Sequence, residues 1–391
     1  MRIKIDILKE IPKELGEGLC VFGESEMLKE WAKSNDIPFE KSKDGKFTNF
    51  DVNRVDLGSV FEIPKTYRYV DGFSPNLNKY LHVGHMSNLA IALALQGLGV
   101  GKEYIAILGD TLGGEVKRED AFQKYVEKCK EVGYKIDKVY YASQQTLKDS
   151  SLLIPGTGEY TGSQVFRSGE NLVVGIKSNG DTSYFYQDVA LAQHLQDSTL
   201  YLTGFEQKEH FENLKTLFPQ IDHLPLGLLL LDGKKMSSSE GNVVFLSDFL
   251  LSLEKKFESK ELAWNVAAGF ILKSHPGSVK NFSLSHADKV KLSPGLYLSY
   301  TLARMKSAGI FPQENKSFHT WKMNFKFLKA KTLLQPNVLL EGCIELAKEI
   351  SRLYEIHQIK GNSDASRIFL PLAEDLLQGM KILGMKEIEK V

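Results

Sequence analysis

Two histidines three residues apart, His82 and His85, flank a glycine in the run His82-Val83-Gly84-His85, at the head of an apolar stretch that reads as a helix. Residues so spaced share a helix face, so the two imidazoles point the same way. Gly84 carries no side chain to keep another group off the backbone. A helix start also offers N–H donors and the positive end of a dipole, which suits a phosphate. An isolated H-x-x-H equally describes two partly buried histidines capping a helix. A zinc site needs a third ligand, and no Cys, His or acidic cluster nearby supplies one, so no metal ligands are assigned.

A second run, LLLLDGKKMSSSEGNVV over 228–244, sends an apolar strand into the turn signal Asp232-Gly233 and then into Lys235, Met236 and Ser237. Lysines on such a loop can follow charge onto a transferring phosphate. Taken alone, the run is also what a solvated basic turn looks like. In a third run, TSYFYQDVALAQHL, Tyr184 and Asp188 are four residues apart and would share a helix face. A carboxylate can take a guanidinium through two parallel N–H bonds, while a tyrosine adds a ring face and a hydroxyl. The structural alternative is a core aromatic beside a surface charge.

These residues need a scaffold, and the chain supplies a repetitive one. From Tyr67, short β-branched and aromatic runs alternate with longer helical stretches: YRYV, IALALQGL, YIAILGD, EDAFQKYVEKCKEV and KVYYAS, and later LVVGIK, TLYLTG and LPLGLLLLDG. The alternation predicts βαβ units and a mostly parallel sheet, with ligands outside the carboxyl ends of the strands. After about residue 250 strand signals disappear. Helical spacing then links Cys343, Leu346, Ala347, Ile350, Leu353, Tyr354 and His357, and again Phe369, Leu372, Ala373, Leu376, Met380 and Leu383. The expected organisation is a small leading unit at 1–62, which reads alternatively as an irregular extension, an α/β domain at 63–255 and a helical domain at 256–391.

Composition limits the functions available. The 391 residues hold 49 basic and 49 acidic side chains, so no bulk positive field coats nucleic acid, and any such binding must use local patches. WKMNFKFLKAK, from Trp321 to Lys331, interleaves bases and aromatics as an RNA surface would, or forms an amphipathic segment with solvated lysines. Cys20, Cys129 and Cys343 are scattered without a CxxC pair, which favours a reducing compartment. The longest apolar run, Leu226 to Leu231, is far short of the ~20 residues that cross a bilayer. A cytoplasmic protein without a membrane segment is expected.

Together the first two runs resemble paired signatures. HVGH is similar to the HIGH sequence of class I aminoacyl-tRNA synthetases, and KMSSS to their KMSKS, in the same order with a Rossmann-like pattern between them. SPNLNKYLHVGH resembles the arginyl-tRNA synthetase branch in particular, and SPGLYLSYTLARM resembles the helix opening that family's anticodon-binding domain. The resemblance covers roughly residues 66–391. It implies a Rossmann-like parallel-sheet catalytic domain followed by an α-helical bundle, and ATP-dependent activation of L-arginine followed by transfer to tRNA. It also implies Mg²⁺ held mainly by nucleotide oxygens. By the same resemblance His82 and His85 serve the α-phosphate, Lys235 the leaving pyrophosphate, and Gly84, Met236 and Ser237 the nucleotide. Ser74 and Asn76 would hold the amino acid's α-groups, with Tyr184, Asp188 and Gln207 on its side chain.

Two departures stand out. Ser239 replaces the family's second signature lysine, and Lys79, just ahead of the histidine run, is expected to compensate. The leading unit, the insertion between the signatures and the tail are all short for the family. A monomeric arginine-tRNA ligase is the main expectation. A paralogue that passes arginine to a non-tRNA acceptor, and a silent relative that only binds arginine or nucleotide, are the alternatives.

Overall fold

The computed structural model describes residues 9–10, 19–22, 26–34, 36–42, 45–51, 64–77, 80–109, 118–235, 244–283, 287, 289–290, 292–314, 317–356 and 363–389. The chain packs as two compact units, Met1–Lys65 with Thr301–Met380, and Thr66–Tyr300 with Lys381–Val391. In the leading part of the first, strands β1 (Lys9–Glu10), β2 (Leu19–Phe22), β3 (Phe39–Lys41) and β4 (Phe47–Phe50) form an antiparallel sheet ordered β1-β2-β4-β3, with helix α1 (Glu26–Ser34) between β2 and β3. The described residues of the polar run KSKDGKFTNFD thus end β3 and form its antiparallel partner β4. Gly45 takes the positive φ of its turn, and Phe50, fully buried, meets the ring of Phe39 at 6.0 Å.

The second unit carries the predicted βαβ pattern. Strand β5 (Tyr67–Asp71), helix α2 (Val83–Gly97), strand β6 (Gly101–Leu108), helix α3 (Arg118–Val132) and strand β7 (Lys138–Tyr141) step in one direction from β5. An antiparallel three-stranded insert follows, of β8 (Leu153–Pro155), β9 (Gln164–Ser168) and β10 (Asn171–Ile176). The chain then returns through α4 (Tyr184–Leu195), β11 (Thr199–Gly204), α5 (Lys208–Leu217) and β12 (Ile221–Leu226), placing β11 and β12 on the other side of β5. The result is a five-stranded parallel sheet ordered β12-β11-β5-β6-β7. Strand order reverses between β5 and β11, which opens a crevice at their carboxyl ends. Helix α2 is apolar on nearly every side and is buried accordingly.

Two strand readings are corrected. LVVGIK forms β10 in the antiparallel insert, because its partner β9 is one tight turn away. LPLGLLLLDG is split: Leu226 ends β12, and β13 (Leu229–Leu231) leaves the parallel sheet to pair with β14 (Lys234–Lys235) and with β15 (Lys280–Phe282). β15 also corrects the absence of strands expected after residue 250. Its three residues are too few to show a period. Helices α6 (Leu246–Phe257), α7 (Lys260–Leu272) and α8 (Pro294–Ser307) complete this part of the chain.

Residues 301–380 add α9 (Trp321–Leu333), α10 (Pro336–Ile356) and α11 (Ser363–Ile382), as the helical spacing predicts; His357 lies outside the described residues. The carboxylate of Asp375, fully buried, accepts from the backbone N–H groups of His319 and Thr320 at 2.6 and 3.0 Å, fixing the start of α9. In α9 the basic and aromatic residues of WKMNFKFLKAK serve packing. Phe325 is fully buried, and Lys322 and Lys326 both turn to Glu345, at 2.9 and 3.6 Å. A buried Phe325 offers no face to an unstacked base.

Candidate active site

The histidine turn closes on itself. His82, in extended conformation, caps α2: its Nδ1 accepts the N–H of Gly84 at 3.1 Å, and Nδ1 of His85 accepts the N–H of His82 at 3.0 Å. A ring nitrogen that accepts is unprotonated, so each neutral imidazole carries its proton on Nε2. The rings lie 3.9 Å apart, tilted by 43°. The backbone donors expected from this helix start are otherwise engaged. Val83 N–H reaches Val244 O at 3.0 Å, and His85 N–H reaches His82 O at 2.9 Å. An anion here meets imidazoles. Gly84 is needed for the same geometry, since a Cβ on it would stand 2.8 Å from Cε1 of His82.

The lysine run meets this turn through the flank that follows it. Asp232 and Gly233, both at positive φ, make the two-residue turn of the β13–β14 hairpin, which ends with Lys235 paired to Leu230. At the other flank Phe245 forms an antiparallel bridge with His82, and Leu246 N–H bonds Leu81 O at 3.0 Å. Residues 244–246 thus strap the histidine turn. Lys235 is described for its backbone alone, and Lys79, Met236, Ser237 and Ser239 lie outside the described residues.

At the crevice between β5 and β11, Asp71 ends β5 with its side chain fully buried. Burial pushes its pKa up to about 7, the Ser74 hydroxyl donating to Oδ1 works against that rise, and the nearby charge of Asp188 adds to it. Ser74 Oγ also accepts the N–H of Ile107 at 2.7 Å, so its hydroxyl hydrogen and one lone pair serve the protein itself. Asn76 bridges to Gly109, where the missing side chain leaves room for the Asn76 amide.

Tyr184 and Asp188 stand one turn apart on α4 as the spacing predicts. Tyr184 is 58% exposed, whereas Asp188 is half-buried and receives His210 Nε2 on Oδ2 at 2.7 Å. His210 is in the first turn of α5, three residues after Gln207, which is exposed in the short 3-10 turn following β11. One end of the sheet thus collects Ser74, Asn76, Asp188 and Gln207, with Tyr184 heading the helix that carries Asp188.

No family model matches the chain. Over 284 residues it is 28% identical to the arginine-tRNA ligase of Limosilactobacillus reuteri (strain DSM 20016), covering 61% of this chain and 50% of that protein. It is 27% identical over 265 residues to arginine-tRNA ligase 2 of Bacillus anthracis, covering 55% and 47% respectively. The chain spans about half the length of the curated relatives it matches. The arginyl-tRNA synthetase structure from Plasmodium falciparum superposes with a TM-score of 0.66 at 17% identity, covering 98% of this chain and 94% of that one. That from Thermus thermophilus gives 0.60 at 17%, covering 97% and 98%. The chain is a class I arginyl-tRNA synthetase-like protein.

Three residues of this synthetase-like protein escaped the sequence reading. Asp71 is one carboxylate at a strand end, and only the fold reveals its burial beside Asp188. His210 lies three residues after Gln207 in the run TGFEQKEHF, but its bond to Asp188 crosses from one helix to another. Tyr201, paired with Asp71 across β11 and β5, is fully buried with a hydroxyl that has no hydrogen-bond partner among the described residues. Among those residues, no helix of the synthetase-like protein is long and apolar enough to cross a membrane.

Proposed function

We propose that this protein activates L-arginine with ATP, forming arginyl-adenylate, and transfers the arginyl group to tRNA(Arg). The observation that carries the reading is one crevice edged by the acidic pair Asp71 and Asp188, with a turn of two imidazole donors on the same βαβ core. A half-buried carboxylate with a buried carboxyl group behind it favours a cationic planar side chain, and Asp188, held by His210 through Oδ2, keeps Oδ1 for a guanidinium. Tyr184 and Gln207 complete that pocket, while Ser74 and Asn76 face the α-groups, Ser74 through its remaining lone pair.

In the first step a carboxylate oxygen of arginine bonds to the α-phosphorus of ATP as the bond to pyrophosphate breaks. His82 and His85 donate through Nε2–H to the α-phosphate oxygens, where charge builds. Lys235 and Lys79 take the leaving pyrophosphate, and Gly84, Met236 and Ser237 border the nucleotide. Mg²⁺ bound to phosphate oxygens would neutralise part of the triphosphate charge. A terminal hydroxyl of tRNA then attacks the mixed anhydride and releases AMP. The functional division we propose is a leading unit at 1–62, a catalytic part at 63–255 and an anticodon-binding-like part at 256–391, in a cytoplasmic monomer.

The packing role of Phe325 and Lys326 supports a second reading in which a small molecule, peptide or protein accepts the arginine. ATP–pyrophosphate exchange across the twenty amino acids, with and without tRNA, together with charging of total tRNA by labelled arginine, separates the two. Arginine-specific exchange with charged tRNA supports the ligase. Exchange without charging supports the other acceptor. Arginine binding without turnover under any RNA condition leaves a silent binding protein.

A further inference from the structure

Both loop amides of the β13–β14 hairpin are tied to β15. Asp232 N–H bonds Phe282 O at 2.8 Å, and Gly233 N–H bonds the side-chain Oδ1 of Asn281 at 2.7 Å. In a free two-residue hairpin these amides face water. Here a strand from far down the chain holds them, and pairs in parallel with β13 along Leu229–Leu231.

β15 is a rigid anchor. On one side of Asn281, Lys280 is buried with its ammonium on the carbonyls of Pro276 and Ser278 at 2.7 and 2.9 Å. On the other side the buried ring of Phe282 packs edge-on to Phe249 and Phe270, at 5.0 and 4.7 Å. Phe249 belongs to α6, the helix that begins with the strap on the histidine turn. One aromatic knot therefore fixes both flanks of the lysine run. Asn281 is the exposed residue between two buried ones, and its amide oxygen is the side-chain contact that reaches the hairpin tip.

We propose that Asn281 is a positioning residue for the lysine hairpin: by holding the Gly233 amide it sets where β14, and with it Lys235, emerges beside the histidine turn. The inference rests on the reading of Lys235 as a pyrophosphate contact. An oxygen acceptor at position 281 is the chemical requirement, so aspartate satisfies it and alanine does not.

The test compares Asn281→Ala and Asn281→Asp in the full chain by two measurements. Amide hydrogen exchange reads the clamp directly: residues 231–235 should exchange about 3- to 10-fold faster in the alanine variant and at the native rate in the aspartate variant. Arginine-dependent ATP–pyrophosphate exchange should show kcat about 3- to 10-fold lower for alanine, KM for arginine unchanged, and recovery to within about twofold for aspartate. Unchanged exchange of the hairpin in Asn281→Ala overturns the inference, as does equal impairment by both substitutions. If the native protein gives no pyrophosphate exchange with any amino acid, the ligase reading fails, and the amide measurement alone decides whether Asn281 holds the hairpin.

Discussion

His82 and Phe245 lie opposite one another in an antiparallel bridge, so the turn that carries the first histidine is held from behind by the segment that leaves the lysine run. With the backbone so held, the direction of the His82 ring depends on what stands next to it. Gly84→Ala should push that ring aside, because the new Cβ would stand 2.8 Å from Cε1 and 2.9 Å from Nδ1. Arginine-dependent ATP–pyrophosphate exchange is expected to fall by on the order of 10²-fold, as for loss of one phosphate donor. A rate within threefold of the native one would show that the ring's placement is immaterial.

Asp71 is expected to make stability and, under the proposed function, arginine affinity depend on pH in opposite senses. Its pKa, 3.8 for a free side chain, is raised to about 7 in the fold, chiefly by burial. Between those values the folded state keeps a proton that the unfolded state has lost, so stability is fullest at acid pH and declines as pH rises towards about 7. Asp71→Asn should flatten that decline and raise the melting temperature at pH 8. Arginine should favour the ionised form, so binding near pH 6 should release a proton and tighten towards pH 8. Calorimetry in buffers of different ionisation heat measures the release, and its absence would remove Asp71 from the arginine site.

With Asp188 on the arginine side chain as proposed, His210 is expected to act on the substrate through it. Its Nε2 stands 2.7 Å from Oδ2, and His210→Ala leaves that oxygen without its donor and the carboxylate unoriented. KM for arginine should rise about 10-fold, the lower range for a hydrogen bond to a charged group, with KM for ATP unchanged. His210→Gln, which keeps an N–H donor, should recover part of the loss. A change in the ATP constant instead would place His210 with the nucleotide.

With Ser239 in place of a signature lysine, Lys79 is expected to carry pyrophosphate charge. Lys79→Ala should collapse ATP–pyrophosphate exchange, while arginine binding by calorimetry stays within twofold. Near-native exchange would refute the compensation.

The stability of the unit holding the sheet should depend on a backbone contact between helices. A Cβ on Gly295 of α8 would fall inside the contact radius of the Asn265 carbonyl oxygen in α7, and one on Gly269 would meet the backbone of Gly295. Gly295→Ala should cost about 3 kcal/mol, the upper range for overpacking, read as a lower urea midpoint. An unchanged midpoint would mean that the helices separate freely.

The elements most legible in the sequence were those with a long period or a strong turn. The βαβ alternation from Tyr67, the helices of the tail, and Tyr184 with Asp188 on one face follow from side-chain spacing alone. What escaped depends on contacts between distant segments. β15 is defined by its partner β13, Asp71 by the residues that bury it, and His210 by its reach across two helices. Phe325 shows how the structure decides between two readings left open in the sequence. Composition made it a candidate base-stacking surface, and the helix turned it inward.

Residues 381–389 close the unit of the parallel sheet although 301–380 pack elsewhere. Trp264 Nε1 donates to Gly384 O at 2.8 Å, Lys386 N–H donates to Asn265 Oδ1 at 2.7 Å, and Lys386 Nζ caps Val132 O at 2.7 Å. On the ribosome, residues 66–300 must therefore wait, with α3 and α7 still bare at these points, until α11 and the residues after it have been made. Premature termination within α11 would release a sheet without its latch, and the synthesis of a few late residues becomes a checkpoint on the whole unit of the parallel sheet.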